Sequence, residues 1–140
     1  MKATDEPGLE EAFIVPIARE LAVALEHVHE AGVLHRDIKC GNVLISEDGR
    51  LQLCDFGVAA RMESDASKRS TIVGTPYWMA PEMHSDIDQG YGFEIDCWAF
   101  GCTVYEMATG MPPYHKFHPS YLHQVLRLSL IHISEPTRPY

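Results

Sequence analysis

No apolar run in this 140-residue sequence approaches the length a bilayer span requires, so no transmembrane helix is expected. The opening residues, Met1-Lys2-Ala3-Thr4-Asp5-Glu6, lack the apolar stretch of a secretory leader, which predicts a cytoplasmic protein. Basic residues are few: Lys and Arg total 11 against 20 Asp and Glu, a formal net charge of −9. That balance argues against nucleic acid and anionic membrane as partners, because both reward basic patches. Cysteine is confined to Cys40, Cys54, Cys97 and Cys102, with no CxxC pair. Without a leader, these read as free thiols rather than a disulfide framework. The eight histidines form no HxxxH pair beside them, so no zinc site is expected. Glycine is sparse at the start: only Gly8 and Gly32 precede His35, so no phosphate-cradling glycine loop lies there.

What is present fits a folded domain, with 46% hydrophobic and 22% charged residues. Residues 10–31 read as an amphipathic helix. Ile14, Ile17, Ala18, Leu21, Leu25 and Val28 recur at helical spacing, and Gly32 is a natural stop. Pro16 removes an amide donor, so it should kink this helix or mark a later start. Val33 to Asp37 then leaves the helix as a loop. Val43-Leu44-Ile45 and Leu51-Gln52-Leu53-Cys54 read as strands of a hairpin around Asp48-Gly49. Residues 58–80 are polar and aperiodic, a long loop of the kind that is functional or disordered. Residues 94–109 are apolar on nearly all faces, which predicts a helix in the middle of the domain, ended by Gly110, Pro112 and Pro113. Ser120 to Arg127 places Leu122, Val125 and Leu126 on one helical face.

Three clusters then stand in order: His35-Arg36-Asp37-Ile38-Lys39-Cys40-Gly41-Asn42, Asp55-Phe56-Gly57, and Gly74-Thr75-Pro76-Tyr77-Trp78-Met79-Ala80-Pro81-Glu82. DFG alone is weak, but the ordered set resembles the HRD…N, DFG and APE motifs of protein kinases. The resemblance covers residues 9–127 and implies an α+β, kinase-like fold: a mainly α C-terminal lobe with a small β-hairpin, without the N-terminal lobe. It implies Ser/Thr phosphoryl transfer from ATP with Mg²⁺, a reaction that needs positioning and charge neutralisation more than covalent help. Asp37 matches the residue that accepts the substrate hydroxyl proton, and Lys39 the one that neutralises charge on the transferred phosphate. Asn42 and Asp55 match the metal ligands, hard oxygens for a hard cation. Thr75 resembles the threonine that contacts the catalytic Asp and Lys. Leu44 matches the floor of the adenine pocket, and Cys54 its back wall, as a reactive or a buried inert thiol.

Other positions carry scaffold and control. Asp96, ahead of Trp98 and Gly101, resembles the carboxylate that holds the catalytic-loop backbone, with the amides of the His35–Arg36 turn as its donors. Glu82 matches the Glu that pairs with a later Arg. Glu106 matches a position that in some kinases pairs with a basic substrate residue, a structural ion pair being the alternative. Arg36 marks enzymes switched on when an activation-loop phosphate pairs with it. Ser64, Ser67, Ser70 and Thr71 are candidates; Thr71 is the expected primary site and Ser70 its neighbour, with Lys68 and Arg69 available to help hold the phosphate. An upstream kinase, or the same kinase in trans, would modify it.

Residues 74–82 resemble the sterile-twenty-like superfamily, and Asp55–Ala59 with Lys68–Thr71 its germinal-centre-kinase branch. Ile38-Lys39-Cys40 with Leu51–Cys54 is similar to fungal morphogenesis kinases of that branch, a MAP-kinase-kinase-kinase being the nearest alternative. No VAIK-type lysine accompanies the missing glycine loop, so the segment by itself is expected to be inactive. A non-catalytic pseudokinase or scaffold module is the alternative; intact Asp37, Lys39, Asn42 and Asp55 argue against it. A small-molecule phosphotransferase fits less well, since the Trp78–Glu82 segment and the long activation loop suit a peptide substrate. Leu128 to Arg138 resembles the translation of a transposase sequencing adapter, so residues 1–127 are expected to be the partial kinase domain and 128–140 a non-native tail. The other reading of that tail is a short strand, Leu130–Ile133.

Overall fold

In the computed structural model the described residues are 8–62, 72–84 and 90–134. Helix α1 spans Glu11–Glu30 and α2 spans Glu94–Thr109. Helix α3 runs over Leu122–Ser134. Strands β1 (Val33–Leu34) and β4 (Ala60–Arg61) pair antiparallel, as do β2 (Val43–Ile45) and β3 (Leu51–Leu53). Among the described residues this is an α+β arrangement with two two-stranded ribbons and no closed sheet.

Helix α1 buries the predicted stripe. Leu21 and Leu25 are buried, while Ile14, Ile17, Ala18 and Val28 are half-buried. Fully burying such a leucine contributes about 1.5–3 kcal/mol. Pro16 sits inside the helix and does not postpone its start at Glu11. The amide it lacks would have bonded the Ala12 carbonyl, and one lost bond near the N-terminus is carried by the packed stripe further on. Gly32 adopts φ +72 and donates to the His29 carbonyl at 2.9 Å, closing the helix.

Two predicted loops contain strand. Val33–Leu34 pairs with Ala60–Arg61, so the start of the 58–80 loop is tied back beside the turn that begins at His35. Two-residue strands are too short to show an alternation pattern; their pairing partner lies about thirty residues away in sequence and stabilises them.

The core has two parts. Leu21, Leu25, Ile38 and Ala99 join α1, the loop after β1 and α2, with Val43, Leu53 and Trp78 packed around them. Leu34, Met79, Ala80, Met83, Tyr91 and Ile95 join β1, the segment after residue 72 and the start of α2. Helix α2 thus lies between both halves, as its composition predicts, but not on all sides. Cys97, Gly101 and Tyr105 are exposed and line a hollow of about 390 Å³ with Trp98, Cys102 and Pro113. No element among the described residues covers that stripe. Gly110 ends α2 at φ +77 with its amide on the Glu106 carbonyl at 2.8 Å.

Helix α3 buries Leu122 and Leu126 and leaves Val125 half-buried. It starts in the segment read as native and continues to Ser134, inside the stretch that resembles adapter translation. The alternative strand at Leu130–Ile133 is not formed. No helix among the described residues is long and apolar enough to cross a membrane.

Candidate active site

The site begins at the turn after β1. Arg36 has φ +69, a left-handed conformation that costs a non-glycine residue energy unless the surroundings hold it. Asp96 supplies that hold. It is fully buried; its Oδ2 accepts from the His35 amide and its Oδ1 from the Arg36 amide, both at 2.8 Å. His29 Nε2 makes a third bond to Oδ2 at 2.8 Å, with its ring 4.6 Å from that of Phe93. The sequence pointed to Asp96 and the two amides, but not to His29. Its only signal was a place on the inward face of α1.

The His35 ring is fully buried beneath the turn. The Asp37 amide can only donate, and it lies 3.3 Å from His35 Nδ1. Nδ1 therefore carries the lone pair, and Nε2 donates to the Cys54 carbonyl at 3.0 Å. Phe56 packs edge-on against this ring at 4.7 Å. One imidazole thus ties the His35–Asp37 turn to the Cys54–Phe56 segment.

Asp37, Lys39 and Thr75 form a closed set. The Thr75 hydroxyl donates to Asp37 Oδ1 at 2.6 Å and accepts from Lys39 Nζ at 2.8 Å. Lys39 Nζ also lies 3.2 Å from Asp37 Oδ2. Asn42 Nδ2 donates to the Asp37 carbonyl at 2.7 Å and to its Oδ2 at 3.1 Å. Burial pushes the Asp37 carboxyl pKa up, but the bonds from Thr75, Lys39 and Asn42 outweigh it and leave the pKa below the ordinary 3.8. Gly74 delivers Thr75 from φ +116, and a Cβ there would stand 2.6 Å from the Arg36 carbonyl oxygen. Only glycine fits that approach.

The hairpin brings the second carboxylate near. Gly49 turns at φ +79, and the register Val43↔Leu53 continues as Cys54 N donating to Asn42 O at 2.9 Å. Asn42 and Asp55 therefore sit at one end of the ribbon. Asp55 is exposed at φ +63, and its Oδ1 accepts from the Gly57 amide at 3.2 Å. With its nitrogen turned to Asp37, Asn42 keeps a side-chain oxygen that could serve as a ligand together with the Asp55 carboxylate. Two hard oxygens suit Mg²⁺, which takes one or two protein ligands plus water and phosphate. Leu44 is 51% exposed on β2, and the Cys54 thiol donates to the Asn42 carbonyl at 3.3 Å.

The remaining predicted residues lie further out. Arg36 donates from Nε to the Val58 carbonyl and from Nη1 to the Tyr91 hydroxyl at 3.1 Å. Ser64, Ser67, Lys68, Arg69, Ser70 and Thr71 fall outside the described residues. Glu82 lies in the 3-10 turn Pro81–His84. Glu106 makes no ion pair among the described residues. Its Oε2 accepts from the Cys40 amide at 3.0 Å and the Trp78 indole at 2.9 Å. Burial, with Glu106 adding to it, pushes the Cys40 thiol up to about 12.

Comparison with known proteins bears on the family. The protein kinase domain family matches residues 2–138. The chain is 51% identical over 111 residues to serine/threonine-protein kinase KIC1 of Saccharomyces cerevisiae, covering 77% of this chain and 10% of that protein. It is 45% identical over 128 residues to germinal center kinase 3 of Caenorhabditis elegans, covering 87% of this chain and 21% of that protein. It is 44% identical over 119 residues to serine/threonine-protein kinase cst-1 of Caenorhabditis elegans, covering 85% and 23%. The chain thus spans a quarter or less of these relatives' lengths. Its ordered motifs, its fold and these serine/threonine-kinase relatives agree: the chain belongs to the protein kinase domain family.

Proposed function

We propose that the protein carrying this segment transfers the γ-phosphate of ATP to Ser or Thr hydroxyls of protein substrates. The observation that carries the reading is the Thr75 hydroxyl, held between the Asp37 carboxylate and the Lys39 ammonium at 2.6 and 2.8 Å. A substrate hydroxyl needs the same two partners. Asp37 accepts the proton as the hydroxyl oxygen attacks the γ-phosphorus, the bond from that phosphorus to the β-phosphate oxygen breaks, and ADP leaves. Lys39 balances charge on the group in transfer. Asn42 and Asp55 would hold Mg²⁺, which when bound neutralises phosphate charge. Leu44 and Cys54 lie on the hairpin where an adenine would rest.

The chain holds no glycine loop and no VAIK-type lysine, so the reading assigns no turnover to these 140 residues alone. Phosphorylation of Thr71, with Ser70 beside it, is the proposed switch, acting through Arg36 and supplied by an upstream kinase or in trans. Four free thiols suit the reducing cytoplasm. In the intact kinase, Asp37→Asn should abolish transfer to protein substrate and spare nucleotide binding. Retained transfer refutes the role given to Asp37, and a non-catalytic module would show no transfer in the unaltered protein. Thr71→Ala should leave the intact kinase unresponsive to preincubation with ATP; full activation would remove Thr71 as the switch.

A further inference from the structure

We propose that Glu106 is a positioning residue that sets the Lys39–Thr75 pair, and that it does not read charge on the substrate. This rests on the phosphoryl-transfer reading above. One oxygen, Oε2, accepts two donors from segments far apart in sequence: the Cys40 amide at 3.0 Å and the Trp78 indole at 2.9 Å. Cys40 directly follows Lys39. Trp78 closes the turn that starts at Thr75, its amide donating to the Thr75 carbonyl at 3.0 Å. A carboxylate on α2 thus fastens both walls of the Lys39–Thr75 contact, which is itself 2.8 Å long.

Both donors need this acceptor. Cys40 and Trp78 are half-buried, and no other hydrogen bond from the Cys40 amide or the indole nitrogen is seen among the described residues. An orphaned donor in such a place costs free energy, so removing Glu106 should let the catalytic loop or the Trp78 turn shift to find water. A shift of about 1 Å at reacting groups lowers turnover on the order of a hundredfold. A residue that instead bound a basic substrate side chain would act mainly on KM. Cys40 makes the tie possible, because proline there would have no amide to give.

The test uses the intact kinase on paired peptides with and without basic residues around the target Ser or Thr. E106A removes the acceptor and should lower kcat roughly ten- to a hundredfold on both peptides, with little change in KM. E106Q keeps an acceptor oxygen without the charge and should restore most of that kcat on both peptides. W78F removes one donor and should give an intermediate loss. Hydrogen exchange at the Cys40 amide supplies a readout apart from turnover: protection should fall in E106A and return in E106Q. A selective KM rise of E106Q on basic peptides would overturn the proposal, as would unchanged kcat or unchanged Cys40 protection in E106A. If the unaltered protein transfers no phosphate, the functional reading fails, and exchange at Cys40 still decides whether the tie exists.

Discussion

Replacing Asp96 should show how much one buried carboxylate holds in place. It accepts three bonds at 2.8 Å, from the His35 amide, the Arg36 amide and His29 Nε2. Asp96→Ala orphans two backbone amides in a fully buried site, each costing about 1–3 kcal/mol. The left-handed Arg36 also loses its fastening. Removing one partner from a buried charged network costs about 3–5 kcal/mol, roughly a fifth or more of the stability of a typical domain. Asp96→Asn should cost less, about 1–3 kcal/mol. Its amide oxygen can serve His35 and His29 while its NH₂ faces the Arg36 amide, leaving one donor opposed rather than two orphaned. The assay is urea denaturation followed by tryptophan fluorescence, with Trp78 and Trp98 as reporters and His29→Ala as a third variant. A loss below about 1 kcal/mol for Asp96→Ala, within the range of ordinary surface changes, would refute the clamp. So would equal losses for Asn and Ala, since the argument depends on how many amides keep an acceptor.

Gly74→Ala should place a Cβ 2.6 Å from the Arg36 carbonyl oxygen at a φ of +116. We expect roughly 1–3 kcal/mol of strain and disturbed delivery of Thr75, measured as lost kcat in the intact kinase; normal kcat would contradict this. Asp37 has a folded pKa below 3.8, so its contribution to stability is fully present above the unfolded value and is lost as pH falls through the folded value. Thr75→Val removes the strongest of the bonds that lower it, so the acid limb of the Asp37 titration should move to higher pH, as read by carboxyl NMR; an unmoved limb would show that the hydroxyl does not act on Asp37. Burial pushes the thiols of Cys40 and Cys102 up to about 12 and about 11, while Cys97 is exposed. Iodoacetamide at mildly alkaline pH should therefore label Cys97 well before either, as mapped by peptide mass spectrometry; equal labelling would contradict the described burial.

Much of the site was legible because its chemistry is local. Asp37, Lys39 and Asn42 lie within six positions, and Asp48-Gly49 announces the turn that brings Asp55 alongside. Helix ends were legible at Gly32 and Gly110, where a positive φ calls for glycine. Strands β1 and β4 were not, because two residues are too short to carry a period. The bonds of Glu106 were not legible either, for a different reason. Its residue type fits an ion pair, a substrate contact or a hydrogen-bond tie equally, and only position separates them.

The sequence by itself determined the family, the order of the motifs and the residue types that the proposed phosphoryl transfer would use, because these are carried by short motifs. Tertiary structure decided which donors meet which acceptors. Asp96 meets amides 61 and 60 positions away, and Glu106 meets one 66 positions away. No local pattern encodes those distances. They arise because α1 and the loop after β1 pack against α2 through Leu21, Leu25, Ile38 and Ala99, and that packing brings each buried donor to the oxygen that satisfies it.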